Sequence, residues 1–348
     1  MESVHKSSHL KRATLQDVAR EAGVGPMTVS RMINGHPYVA EETARRVREA
    51  IQKLDYRPNH AARILTGKLS RSIGLIVPDI SDTFFSIVSH AVQETARESG
   101  YLVWLAASGD DPVVEAAQVE MMTHHPVDGI LLVPADSRSH HLKTIATGTI
   151  PIVTIDRPME VAATDSVGVE NRAGAQISVD HLVQHGYKKI ACITANSHLI
   201  TIKERIAGYK ESMRKAKLQS LKEINLSGPE SAAYAIADLL ASSHRPDALF
   251  TANNAATIWV IEALKKLGIS MGKEIPLLGF DDVDFFSLIT PSVTAVRQPA
   301  SELGNVSARL LLQRIRGELK TSSVRTVLPV TLTIRESCGC KSTPHTSR

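Results

Sequence analysis

Apolar positions recur along the chain at two different spacings, and the change comes near Arg71. Before it the intervals are helical. Leu15, Val18, Ala19 and Ala22 share one face of a first helix, with Thr14 placed to cap it and Asp17 three residues on as capping-box partner. Gly23 stops that helix, and Gly25-Pro26 soon opens another. Glycine is an acceptable N-cap, and proline at the first helical position loses nothing because its missing N–H would be unpaired anyway. The second helix is predicted from about Pro26 to Ile33, ending at Asn34-Gly35. A third, from about Glu41 to Leu54, buries Ala44, Val47, Ile51 and Leu54 and exposes Arg45, Arg46 and Arg48. Two helices on a tight glycine turn form a helix-turn-helix, whose second helix can enter a DNA major groove. Asn59 can cap a fourth helix, His60 to about Leu65, too short to hold in water by itself.

After Arg71 the pattern becomes short apolar runs alternating with amphipathic helices. IGLIVPDI, YLVWLAA, DGILLV and PIVTID look like buried parallel strands, and KKIACIT, DALFTAN and IPLLGF form a second series. The predicted fold is an all-α helix-turn-helix head with a hinge helix, joined to an α/β body of two doubly wound parallel-sheet lobes. The expected boundaries are 1–58 for the head and 59–71 for the hinge and linker. The body takes 72–348, its first lobe about 72–168 and 300–326, its second about 169–298 and 327–340. Ligands in such folds sit beyond the carboxyl ends of the strands, here between the lobes.

Charge sharpens this division. The 348 residues carry a net charge of +4. Met1 to Arg71 holds 13 Lys+Arg against 7 Asp+Glu, while the rest holds 27 against 29. A basic head on a slightly acidic body suits a nucleic-acid binder whose second domain does something else. No apolar run approaches the ~20 residues that span a bilayer. The first residues, MESVHKSSHLKR, lack the apolar region of a signal peptide, so a cytoplasmic protein is expected. Three cysteines are too few for a disulfide framework.

DVAREAGV, TVSRMING, EETARRV and YRPNHAARIL, in this order and spacing, resemble the LacI/purine-repressor (LacI–GalR) family of bacterial transcription regulators. The resemblance runs from roughly Leu15 to Cys338. It implies a homodimer reading a palindromic operator, with Pro26, Met27 and Arg31 at base edges and Thr28 and Ser30 nearer the phosphates. Thr14, Asn34, Tyr56, Asn59, Ala62 and Arg63 complete the implied DNA contacts, and Leu65 is the implied minor-groove wedge that kinks the duplex. Pro26 and Met27 depart from the polar residues common in relatives, so readout there is expected through thymine methyls or shape. Gly25 and Ala40 replace the usual capping residues; Ala in place of Ser typically costs ~1 kcal/mol.

The resemblance also implies a periplasmic sugar-binding-protein-like body whose cleft takes a small-molecule effector. The matching strand-end residues are Asp82, Phe84, Phe85, Asp156, Arg157, Arg205, Asn253, Asp281 and Gln298, with Asp79 nearby. Phe85 rather than Phe84 is expected to face the cleft. Carboxylates, amides and arginines converging with few apolar groups suit a sugar or polyol, because each buried polar group needs a hydroxyl partner. Asn254 stands where relatives usually have aspartate, and no ligand role is carried onto it. Asp82-Thr83 replaces Asn-Pro, which weakens any assignment of a particular sugar. The dimer face is expected on the first lobe around Phe84 to Ser99.

Other chemistry is not expected. His124-His125 and His140-His141 are adjacent pairs rather than i, i+4 pairs and suit solvated histidines, while Cys338-Gly-Cys340 looks too short and isolated for zinc. No nucleophile–base constellation marks an enzyme, and no cofactor is implied. A sugar-binding transport or chemotaxis protein is the alternative that the body alone would permit; the basic head opposes it. After Val330 there are no leucine heptads for a tetramerising coiled coil.

Overall fold

The computed structural model describes residues 13–33, 39–56, 69–125, 127–146, 148, 150–160 and 164–340. Two compact units emerge, Met1–Ser70 and Arg71–Arg348.

In the first unit, α1 (Leu15–Ala22), α2 (Pro26–Ile33) and α3 (Glu41–Lys53) enclose a small core of Val18, Ala19, Ala22, Val29, Val47, Ala50 and Tyr56. Thr14 Oγ1 accepts from the Asp17 N–H, and Asp17 Oδ2 accepts from the Thr14 N–H, so the capping box closes both ways. Gly23 ends α1 in the left-handed conformation that glycine adopts freely. Ala40 makes no side-chain cap for α3. The hinge expected after the head, with Asn59, Ala62, Arg63 and Leu65, and the turn residue Asn34 lie outside the described residues.

The second unit holds two six-stranded sheets in two lobes. The first lobe contains β1 (Ser72–Val77), α4 (Thr83–Glu98), β2 (Leu102–Ala107), α5 (Pro112–His124), β3 (Ile130–Leu132), α6 (His141–Ala146), β4 (Ile152–Ile155) and β5 (Asp165–Val169). The chain then builds the second lobe from α7 (Asn171–Gln184), β6 (Ile190–Ala195), α8 (Ile200–Lys215), β7 (Ile224–Leu226), α9 (Pro229–Ala241), β8 (Ala248–Thr251), α10 (Asn254–Lys266), β9 (Leu277–Phe280) and β10 (Thr294–Arg297). It returns as α11 (Ala300–Ile315) and β11 (Arg325–Leu328) in the first lobe and ends with β12 (Thr331–Thr333) in the second. The strand orders are β11-β5-β4-β3-β1-β2 and β12-β10-β9-β8-β6-β7; all pairs are parallel except β10 with β12. Three crossings therefore link the lobes, after β5, β10 and β11.

Both faces of each sheet are covered by helices, so the central strands are continuous apolar runs: β1, β3, β4, β6, β8 and β9 are buried almost throughout. The helix pairs α4/α11 and α7/α8 each press together at a glycine. A Cβ on Gly304 would collide with the Val88 carbonyl, and one on Gly208 with the Arg172 carbonyl. Among the described residues, no helix is long and apolar enough to cross a membrane.

Two expectations about isolated polar residues are corrected. His141 is not simply solvated: its Nε2 pairs with Oε1 of the fully buried Glu115 at 2.8 Å. Nor is Cys338-Gly-Cys340 isolated, because the tail brings it against His181 and His185 of the second lobe. These pairings join residues 26 and more than 150 positions apart, beyond the reach of local pattern.

Candidate DNA-reading helix and effector cleft

In the head, the packing of Val29 leaves the opposite side of α2 to solvent. Pro26, Met27 and Arg31 are exposed there, with Thr28 and Ser30 partly so. Met27 is 68% exposed. Among the described residues Arg31 has no acidic partner, whereas Arg20, Arg45, Arg48 and Lys53 pair with Asp17, Glu49, Glu41 and Glu21. Thr14 is exposed and committed to its cap. Tyr56, expected at the DNA, is only 8% exposed, its ring held in the head core.

In the body, the fourth strand in chain order of each lobe's parallel series ends in an aspartate with left-handed backbone: Asp156 (φ 64°) after β4 and Asp281 (φ 71°) after β9. Non-glycine residues rarely hold this conformation, and such positions cluster at functional sites. Asp281 anchors a dense second-lobe network. Its Oδ2 receives Arg205 Nη1 at 3.0 Å and the Asn254 N–H at 3.3 Å, and its Oδ1 receives Gln298 Nε2 at 2.5 Å. Arg205 is 3% exposed; Nε donates to Asn171 Oδ1 and Nη1 to the Ala252 carbonyl, both at 2.8 Å, while its guanidinium lies 3.7 Å from the centre of the Phe280 ring. Charge-assisted bonds and the aromatic face together offset the burial of this cation.

The first-lobe counterpart is Asp156 with Arg157. Arg157 Nη1 donates to Asp110 Oδ1 and the Pro134 carbonyl, and Nε lies 3.6 Å from Asp156 Oδ2. Burial raises the Asp156 pKa to about 6, while the positive charges of Arg157 and, from the other lobe, Arg205 draw it back. Burial likewise raises Asp82, which caps α4 through the Phe84 N–H. Asp156 Oδ1, Arg157 Nε and Gln298 Oε1 are buried with no hydrogen-bond partner in the protein. Each such group costs ~1–3 kcal/mol until something bonds it.

Two cavities open beside this network. One of about 380 Å³ is lined by Asp156, Asn171, Thr201, Glu204 and neighbours; the other, about 130 Å³, by Arg157, Asp136, His198 and Lys203. Asp82, Phe84, Asn253, Asp281 and Gln298 do not line these two cavities.

Two expectations at the cleft are corrected. Phe85 is buried in the first-lobe core, and Phe84, stacked edge-on to it, keeps partial exposure. Asn253 spends its side chain as the cap of α10, Oδ1 accepting from the Ala256 N–H and Nδ2 donating to the Ala195 carbonyl. Asn254 instead crosses between lobes, its Nδ2 at 3.3 Å from both oxygens of Asp82. Sequence reasoning also missed Asn171 and Asp110, which hold the two arginines. Asn171 opens the first helix after a lobe crossing, a position that could have flagged it.

Comparison with known proteins matches two parts of the chain. Residues 14–59 match the bacterial regulatory proteins of the lacI family, and residues 179–338 match the periplasmic binding protein-like domain. The HTH-type transcriptional repressor PurR of Aliivibrio fischeri (strain MJ11) is 31% identical over 310 residues, covering 87% of this chain and 92% of the relative. A lac repressor dimer bound to operator and the anti-inducer ONPF superposes with TM-score 0.84 at 25% identity, covering 94% of this chain and 99% of that one. A complex of the transcriptional regulator CelR with cellobiose gives TM-score 0.69 at 29% identity, covering 94% and 100%. The chain therefore belongs to the lacI family of bacterial regulatory proteins and is a DNA-binding transcription regulator.

Proposed function

We propose that the protein is a homodimeric repressor whose grip on a palindromic operator is set by a sugar or sugar derivative bound between the lobes. The observation that carries the effector assignment is the set of buried, unpartnered polar atoms on Asp156, Arg157 and Gln298, beside the Arg205–Asp281 pair. Hydroxyls that both donate and accept would satisfy them, and the cellobiose held by the CelR relative is a ligand of this kind. Phe84, the more exposed of the two rings, is the better surface for a sugar face. Arg205 Nη2 lies outside the network built by Nε and Nη1, and so is the nitrogen for the ligand. Asn254 joins the site in place of Asn253.

On the head, Arg31 is the guanine reader and Met27, with Pro26, the apolar contact to thymine methyls. Tyr56 acts by holding the head core. The segment with Asn59, Ala62, Arg63 and Leu65, which lies outside the described residues, is the proposed coupling element between the effector cleft and the operator.

The dimer face falls on the sheet edge of the first lobe. Leu102, Trp104 and Leu105 of the edge strand β2, with Val113, Val114 and Met121 of α5, are exposed. An uncovered apolar edge strand is a liability that a second copy removes. This shifts the expected face from α4 towards β2 and α5. Working as a repressor, the protein acts in the cytoplasm.

A thermal-shift screen of sugars, sugar acids and nucleobases tests the effector assignment, since a specific ligand raises the melting temperature by mass action. A sugar shift abolished by Asp156→Ala and Arg205→Ala is expected. A shift that survives both variants moves the ligand out of this site, and a shift from nucleobases alone refutes the sugar class.

A further inference from the structure

A second constellation lies outside the cleft. His181 and His185 stand one helical turn apart at the C-terminal end of α7, with ring centres 4.6 Å apart. The tail after β12 brings Cys338 and Cys340 to them. Cys340 Sγ lies 3.2 Å from Nε2 of both histidines and 2.9 Å from Cys338 Sγ. The donor atoms of His181, Cys338 and Cys340 fall within 4.8 Å of one another. His181 and Cys338 are buried, Cys340 is partly so, and His185 is exposed.

The turn is firmly built. Arg335 pairs with both oxygens of Asp282, Ser337 Oγ donates to the Leu277 carbonyl, and Tyr187 Oη donates to the Cys338 carbonyl. Gly339 takes φ 78°, and a Cβ there would strike the Tyr187 hydroxyl, so the turn that sets both sulfurs on one side needs glycine.

We propose that His181, His185, Cys338 and Cys340 form a zinc site that staples the C-terminal tail to α7. Two thiolates and two imidazoles are a tetrahedral zinc donor set. At usual zinc–ligand lengths such donors stand ~3.3–3.8 Å apart. The present spacings approach that: the two sulfurs must part by ~0.9 Å, and His185, which touches Cys340 but lies outside the close group of His181, Cys338 and Cys340, must swing in as the fourth donor. Calcium and magnesium are excluded by the absence of oxygen donors in the set. A two-iron cluster held by two cysteines and two histidines needs the sulfurs and the imidazoles on separate irons, whereas here Cys340 Sγ lies 3.2 Å from both imidazoles, which suits a single ion. The site ties residues that follow the third lobe crossing to the helix that follows the first.

The test uses the full chain purified under reducing conditions, loaded with zinc chloride and dialysed. Elemental analysis should find about one zinc per chain, and cobalt(II) in its place should give thiolate-to-metal charge transfer with the visible bands of a tetrahedral ion. Cys340→Ser and His185→Ala should each weaken or abolish both signals. Their melting temperatures should match that of the wild type when all are measured with a chelator, which separates lost ligation from lost folding. Removing zinc should lower the wild-type melting temperature and leave the variants unmoved. No zinc retained by the wild type, cobalt without thiolate charge transfer, or equal zinc in both variants overturns the site. So does a chain that binds no zinc while losing two hydrogens in intact mass, which would mean a Cys338–Cys340 disulfide.

Discussion

Asn254 of the second lobe donates its side-chain amide to both carboxylate oxygens of Asp82 in the first, at 3.3 Å each. The bond spans the mouth of the cleft from the start of one helix to the cap of another, and it is long, hence weak and easily exchanged. We expect it to bias lobe closure rather than to hold the fold. Asn254→Asp places two carboxylates face to face where one is already pushed up by burial. The lobes should open, seen as a larger radius of gyration in solution scattering at pH 7 that reverts as the pH falls and one carboxyl is protonated. An unchanged radius would mean that this contact does not report the lobe equilibrium.

Arg205 faces a different test, because it is buried and serves three partners. Arg205→Ala leaves Asp281 without its cation and should cost on the order of 3–5 kcal/mol of stability in chemical denaturation. Arg205→Lys keeps charge but loses the flat stack on Phe280 and the forked bonds. It should lose effector binding at least tenfold with a smaller stability loss. Full ligand affinity in the lysine variant would show that Arg205 supports the fold alone.

The pH dependence of Asp156 follows from its raised pKa. The folded state takes up its proton at about 6, the unfolded chain near the ordinary carboxylate value of ~3.9. The folded state thus binds more protons in this window, and stability contributed by Asp156 falls as pH rises from about 4 through 6. Relative to Asp156→Asn, the wild type should gain ~1–3 kcal/mol on moving from pH 7 to pH 4. Parallel denaturation profiles of the two proteins across this range would contradict burial as the dominant influence on this carboxylate.

On the head, Arg31→Ala should cost ~1–3 kcal/mol of discrimination at one base pair, with non-specific affinity reduced much less. Met27→Ala should weaken preference for a thymine-containing step without changing the salt dependence, because no phosphate contact is lost. Binding titrations on operator variants distinguish these outcomes. A uniform loss across all sequences from Arg31→Ala would make it a phosphate contact instead.

Much of this was legible in the sequence where the signal is local. The Thr14–Asp17 capping box, the Gly23 stop and the core positions Val18, Ala22, Val29 and Val47 all rest on neighbours within one or two helical turns. The apolar strand runs were equally plain. Finer choices failed where adjacent residues at a helix start differ only in direction. Phe84 and Phe85 are both apolar, and only the packing of the first-lobe core decides which is inside. Asn253 and Asn254 are chemically identical, and the capping geometry of α10 assigns one to the helix and the other to the opposite lobe. His185 and Cys340 lie 155 residues apart; the i, i+4 histidine pair on α7 was the one local hint.

The central claim is that ligand in the cleft changes the affinity of the head for DNA. Operator affinity of the full chain, measured by fluorescence anisotropy at fixed salt with and without a saturating sugar found in the thermal screen, tests it most directly. A change of at least about fivefold, in either direction, is expected, because coupling between sites of ~1–3 kcal/mol is reciprocal and visible at both. A sugar that stabilises the body while leaving the operator affinity unmoved would contradict the account.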